Sequence, residues 1–245
     1  MIEGLTLGEW LIVAGAAVLI GAAKTGVFGG GMVAIPLMAS VFPAKTSTGV
    51  LLPLLCFGDL LGVLLYRRHA GWDVLMRLFP FAAAGVVAGY FLMHRISDAA
   101  LKPIIGAIVL VLLVLQYAMA HEYVAVGRTH VVLAALIGLL AGFTTMTANA
   151  SGPIMMLYLL MLQLDKRMFA GTMAWGYLCM NLFKLPFSAH LGLITRDSLA
   201  LNGVLIPAIL VGGAGGYLFV RYIPQKIFAI VMQILAAAGA VYLLM

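Results

Sequence analysis

Of the 245 residues, 64% are hydrophobic and 9% are charged, and the mean hydropathy is +1.15. A soluble domain carries about a quarter charged residues, so this composition excludes a water-soluble globular fold and describes a polytopic membrane protein. The net charge of +6 falls mostly in short loops, as positive-inside topology requires. No basic face with interleaved aromatics exists to bind nucleic acid.

The start, Met1-Ile-Glu-Gly-Leu-Thr-Leu-Gly-Glu9, is acidic and lacks the basic region of a cleavable signal. The first apolar leg, residues 7–23, is therefore expected to belong to the mature fold. Lys24-Thr25-Gly26 and Gly29-Gly30-Gly31 interrupt it, and a second leg covers 32–42. After a turn at Pro43-Ala-Lys45 come segments at 46–66, 74–93 and 101–120, separated by loops at 67–71 and 94–98. A polar linker, 121–129, divides the chain into repeat 1 (1–120) and repeat 2 (130–245). In the second half, an apolar leg at 130–147 is broken by Ala148-Asn-Ala-Ser-Gly-Pro153, and a short leg covers 154–164. Asp165-Lys166-Arg167 turns the chain into segments at 168–189, 199–220 and 227–245. Cys56 and Cys179 both sit in apolar segments and offer neither a disulfide framework nor a metal signature, and no cofactor is expected.

The reading is therefore all-α, with two homologous four-segment repeats whose first and fifth segments are discontinuous or re-entrant. The duplication can be checked by register. Ile20-Gly21 and Pro36 match Ile137-Gly138 and Pro153 at one offset of 117, and Pro80, Gly85, Gly89 and Tyr90 match Pro207, Gly212, Gly216 and Tyr217 at 127. Asp59 falls opposite Asn181, and Gly49 opposite Gly171, at 122. If the broken segments turn back as hairpins, each half has three full crossings and the repeats are inverted; if they cross, the repeats are parallel. The hairpin arrangement places eight loop lysines and arginines on one side against four, and the crossing arrangement seven against five. This count favours inverted repeats with the N-terminus outside. Residues 8–41 as one helix would also span about 50 Å, against a hydrocarbon core of about 30 Å.

A lipid-facing helix gains nothing from a polar break, because freed backbone groups find no water there. Breaks in matching positions of two halves point to a transporter's binding site. The second leg of each begins near Gly31 and near Gly152, and a helix start presents free N–H groups and a positive dipole end, which suit an anion. Gly29, Gly30 and Gly31 permit close approach of a ligand to the backbone; their alternative role is close helix packing. Thr144, Thr145, Thr147, Asn149 and Ser151 crowd the second break, where they could instead satisfy freed backbone groups. Substrate contact is expected from Lys24, Thr25, Gly29, Gly30, Gly31, Thr145, Asn149, Ser151, Gly152 and Asn181. Asp59 and Lys184 lie within apolar segments, where charges are costly and mark a pair or a pathway. They are expected to form an ion pair or a proton-coupling route. Asn181 and Lys184 are one helical turn apart and share a face.

The Gly26-Val-Phe-Gly-Gly-Gly-Met-Val-Ala-Ile-Pro36 stretch, its counterpart at Ala148-Asn-Ala-Ser-Gly-Pro153 and the four-plus-four layout resemble the TauE/SafE family of sulfite and sulfonate exporters over essentially the whole chain. The resemblance implies a multi-pass permease of the bacterial inner membrane that exports sulfite, sulfoacetate or a related organosulfonate, with coupling to the proton gradient as an option. Alternating access would move one repeat against the other around the site. The implied partners are a small anionic substrate, protons where coupling exists, and the bilayer; a homodimer is compatible. A passive anion channel is the rival reading. An intramembrane hydrolase built on Ser151 with His190 as base lacks a second intrasegment histidine, and a structural protein would not explain duplicated polar breaks.

Overall fold

The computed structural model describes residues 4–25, 30–119, 131–219 and 225–245. Gly29 and the expected linker at 121–129 lie outside them. The described residues form ten α-helices and no strand: α1 Leu7–Thr25, α2 Gly30–Val41, α3 Ala44–Tyr66, α4 Trp72–Arg95, α5 Asp98–Met119, α6 Val131–Ala148, α7 Gly152–Met161, α8 Lys166–His190, α9 Arg196–Phe219 and α10 Gln225–Leu244. Both expected interruptions are thus breaks between separate helices. Six helices among the described residues (α1, α3, α4, α5, α6 and α9) are long and apolar enough to cross a membrane. At about 1.5 Å per residue, α2 is about 18 Å long and α7 about 15 Å, too short to cross alone. Large apolar side chains such as Leu64, Met76, Val111, Val132 and Val211 project outward, as a lipid-facing surface requires.

Helix starts follow side-chain caps. Thr6 and Glu9 close a reciprocal box before α1: the Thr6 N–H donates to Glu9 Oε2 (2.8 Å) and the Glu9 N–H to Thr6 Oγ1 (3.3 Å). Asp165 caps α8 by accepting from the Arg167 and Met168 N–H groups, both at 3.0 Å. Lys166 and Arg167 therefore belong to the first turn of α8 rather than to the expected turn. Thr195 and Ser198 cap α9 in the same reciprocal way, at 2.8 and 3.1 Å.

The core is built by glycine-lined helix contacts. α4 packs most extensively on α6, and α1 on α9. A Cβ on Gly142 would strike the Ala82 carbonyl of α4, and one on Gly85 the Leu139 carbonyl of α6. On the other side, a Cβ on Gly21 would strike the Ile209 carbonyl of α9, and one on Gly212 the Val18 carbonyl of α1. Small residues let backbones approach where no hydrophobic driving force separates protein from lipid. The glycines matched by register in the sequence, Gly21 with Gly138 and Gly85 with Gly212, thus lie at corresponding contacts.

Residue pairings fix the helix directions. Ile20 and Lys24 of α1 lie against Gly58 of α3, the Lys24 carbonyl against Gly62, and the Thr25 carbonyl accepts from Tyr66 Oη at 3.4 Å. α1 and α3 therefore run the same way, and α2 runs back along α1 to reach the start of α3. In α4 and α8, Trp72 meets Trp175, Phe79 meets Phe183, and Tyr90 meets His190, so these two helices are also parallel. α3 and α8 cross antiparallel: Gly49 touches Leu193, Asp59 touches Asn181, and Gly71 touches Thr172. α3 and α8 are the central pair, and both helix breaks open onto them.

Candidate functional site

The second break is shaped by Asn149 and Pro153. Asn149 takes a left-handed backbone, φ 54°, which asparagine tolerates better than most residues. This ends α6 and turns the chain. Pro153 sits in the first turn of α7, where its missing N–H costs nothing. Ser151 occupies the cap position without a side-chain cap bond, which leaves the first amides of α7 without the usual hydroxyl partner. In the first break, α1 ends at Thr25 and α2 starts at Gly30, with Gly31 close to Ala23 (3.7 Å from an ideal Cβ).

The two breaks enclose one cavity of about 100 Å³. Lys24 and Gly31 line it from the first break, and Thr145, Asn149, Ser151 and Gly152 from the second; Tyr177 and Asn181 of α8 complete the polar wall. Met32, Ile35, Met156 and Met173 form the apolar wall. At about 30 Å³ per water, the volume suits a few waters or one small oxyanion. Seven of the ten expected contact residues (Lys24, Gly31, Thr145, Asn149, Ser151, Gly152 and Asn181) are therefore brought to one place.

Thr25 lies elsewhere. Thr25 Oγ1 donates to the Gly213 carbonyl of α9 at 2.9 Å and to the Gly21 carbonyl at 3.2 Å, so this hydroxyl ties α1 to α9 and does not line the cavity. Gly30 opens α2, and Gly29 is outside the described residues.

The charge pairing also differs from expectation. Asp59 pairs with Lys24, not Lys184: Lys24 Nζ lies 2.6 Å from Asp59 Oδ1. Asn181 Nδ2 donates to Asp59 Oδ2 at 2.6 Å. The physical reason is reach. Lys24 ends α1 directly over the small Gly58 and Gly62 of α3, the residue just before Asp59 and the one a turn after it. Lys184 instead turns to the second break. Its Nζ donates to the Thr145 carbonyl (2.8 Å), Thr145 Oγ1 (3.2 Å) and Asn149 Oδ1 (2.5 Å). It thereby satisfies a carbonyl at the negative end of α6, a favourable place for a cation. Asn149 Nδ2 donates onward to the Thr48 carbonyl of α3 at 3.1 Å. Asp59 and Lys184 are each 1% exposed, and the Lys24 side chain is 14% exposed.

Tyr177 is the site residue that the sequence reading missed. Lys24 Nζ stands 4.2 Å from its ring centroid, within cation–π range, and its hydroxyl donates to the Gly152 carbonyl at 3.3 Å. It touches both breaks at once. Its position four residues before Asn181, on the same helix face, was the available signal.

Among the described residues no cluster of three or more His, Cys, Asp or Glu side chains could hold a metal. The family model described as "Sulfite exporter TauE/SafE" matches residues 13–243 of the chain. Neither the curated proteins nor the solved structures compared with it give a match.

Proposed function

We propose that this chain, which belongs to the sulfite exporter TauE/SafE family, is an inner-membrane carrier that moves a small sulfur oxyanion or organosulfonate outward by alternating access. The observation that carries this reading is a charge imbalance at the junction of the two breaks. One half-buried lysine, Lys24, and one buried lysine, Lys184, stand at this junction with a single buried carboxylate, Asp59. An unbalanced charge at membrane depth is costly, and an anion in the adjoining cavity would neutralise it. Lys24, Asn149, Ser151 and Asn181 supply donors, and the starts of α2 and α7 bring positive dipole ends.

The mechanism follows from two inverted repeats, residues 1–120 and 130–245, each led by a re-entrant helix pair. Support comes from helix direction and packing. α1 and α3 run opposite to their counterparts α6 and α8, and α1 packs on α9 as α6 packs on α4. A site shared between two such units can open to either side as one unit rocks against the other. Proton coupling is assigned to the Lys24–Asp59 pair. The hydrolase alternative finds little support: His190 Nδ1 is engaged with Tyr90 Oη at 2.8 Å at the exposed end of α8, while Ser151 is buried at the start of α7.

The test is binding of sulfite, thiosulfate, sulfoacetate and taurine to purified protein by thermal shift, followed by counterflow in vesicles. Stabilisation by at least one of these anions, with trans-stimulated exchange, is expected. Flux without trans-stimulation would make the protein a channel, and no stabilisation by any of them would remove the sulfur anion reading.

A further inference from the structure

The charges around the cavity bear on a question the family assignment leaves open: how a substrate's valence is matched. With all three groups ionised, Lys24, Lys184 and Asp59 sum to one positive charge. A monoanion would bring the site to neutrality with the Lys24–Asp59 pair intact. A dianion would leave it one charge negative, in surroundings where uncompensated charge is heavily penalised. Asp59 supplies the remedy. Among the described residues its Oδ1 is held by Lys24 and its Oδ2 by Asn181 Nδ2. A proton on Oδ1 breaks the pair with Lys24, leaves the Asn181 bond in place, and frees the ammonium to turn to the cavity that it already lines. The loaded site is then neutral again.

We propose that this carrier accepts both monoanionic and dianionic sulfonates, taking one proton onto Asp59 with a dianion and none with a monoanion, so that each cycle moves one net negative charge. The proposal rests on the carrier reading above. The proton comes from water on the loading side, is carried on the Asp59 carboxylate, and is returned to water when the anion leaves and Lys24 re-forms its pair. The titratable groups that act on Asp59 are Lys24 from α1, Cys56 from its own helix, and Tyr177, Cys179 and Lys184 from α8. None of them is a second carboxylate, so Asp59 is the group available to accept the proton. An inside-negative membrane potential would drive outward movement of either substrate.

The experiment uses the full chain in phosphatidylethanolamine–phosphatidylglycerol vesicles with an internal pH dye and a clamped potassium-diffusion potential. The probes are sulfoacetate, a dianion at neutral pH, and isethionate, a monoanion of similar size. One proton is expected to accompany each sulfoacetate and none each isethionate, with equal charge moved per substrate. Asp59→Asn is expected to carry sulfoacetate without a proton and with twice the charge. Sulfoacetate flux without protons in the wild type, protons moving equally with both probes, or transport of isethionate alone would overturn the valence rule while leaving the carrier reading intact. Absence of flux with both probes while sulfite or thiosulfate still exchanges would also overturn the rule alone, and absence of flux with all of these anions would overturn the carrier reading itself.

Discussion

Replacing Lys24 by Met separates the two roles that its ammonium fills. Met keeps an unbranched stem of similar length, so packing against Gly58 (3.0 Å from Lys24 Cγ to an ideal Cβ) is retained. What is lost is the 2.6 Å contact with Asp59 and the contact with the Tyr177 ring. Removing one member of a buried ion pair costs about 3–5 kcal/mol, because the other charge is left uncompensated. Among the described residues, Asp59, 1% exposed, would keep the Asn181 donor alone. A fall in melting temperature on the order of 10 °C is expected. The double substitution Lys24→Met with Asp59→Asn removes both charges and should recover most of that loss. Affinity should behave differently. A hydrogen bond from a charged group is worth about 1.5–3 kcal/mol, which at 1.4 kcal/mol per tenfold corresponds to binding weaker by about 10- to 150-fold. With a dianion such as sulfoacetate the double variant offers only the Lys184 charge, so its affinity should stay low while its stability returns. Anion titration by thermal shift measures both. Wild-type affinity in Lys24→Met, or recovery of affinity in the double variant, would refute the assignment of Lys24 to the substrate.

Lys184→Met leaves the Thr145 carbonyl and Asn149 Oδ1 without their buried donor; a loss of about 1–3 kcal/mol is expected from unsatisfied polar groups, seen as a lower melting temperature in detergent. Gly142→Ala forces a methyl group into the Ala82 carbonyl, and overpacking of this kind costs about 1–3 kcal/mol or more. Gly203→Ala, with nothing within 4 Å of the added carbon, should be neutral or stabilising by up to about 1 kcal/mol; comparable melting of the two variants by size-exclusion analysis would contradict the helix contacts described. Asn149→Gly and Asn149→Ala both lose the amide bonds to Thr48 and Lys184, but only alanine keeps the penalty of φ 54°. The alanine variant should therefore be the less stable by about 1 kcal/mol, and equal melting would show that the left-handed turn is not maintained.

The breaks were legible because glycine, asparagine and proline announce themselves in any apolar run, and the glycines that the register singled out, Gly21, Gly85, Gly138 and Gly212, sit where backbones touch. The partners of buried charges were not. Asp59 lies in the sequence among apolar residues, and nothing local says whether Lys24 or Lys184 reaches it. That depends on α1 ending over Gly58 and Gly62, which only the packing reveals. Thr25 was misplaced for a similar reason: beside a lysine and a glycine run its hydroxyl suggested a ligand contact, yet the close α1–α9 approach presents the Gly213 carbonyl to it. Tyr177 was overlooked because an aromatic residue in an apolar helix is ordinarily packing, and only its spacing from Asn181 separates it from Trp175 or Phe183.

The unequal placement of the two lysines follows from the electrostatics of a broken helix. Each break joins the negative end of one helix to the positive end of the next. Left alone, the two ends largely cancel and offer an anion little. A cation at the negative end changes that balance. Lys24 lies in the last turn of α1 itself, whereas α6 ends in Thr145, Met146, Thr147 and Ala148 and borrows Lys184 from α8. Both C-terminal ends are then offset, and the starts of α2 and α7, the latter without a side-chain cap bond, set the sign of the field in the cavity. Asp59 pairs with one of the two lysines and not the other, and with all three ionised, as the proposed mechanism has them, the resting site carries a single positive charge. A carrier needs such a compromise: enough positive field to attract an anion to membrane depth, and an internal carboxylate to hold Lys24 when the anion has gone.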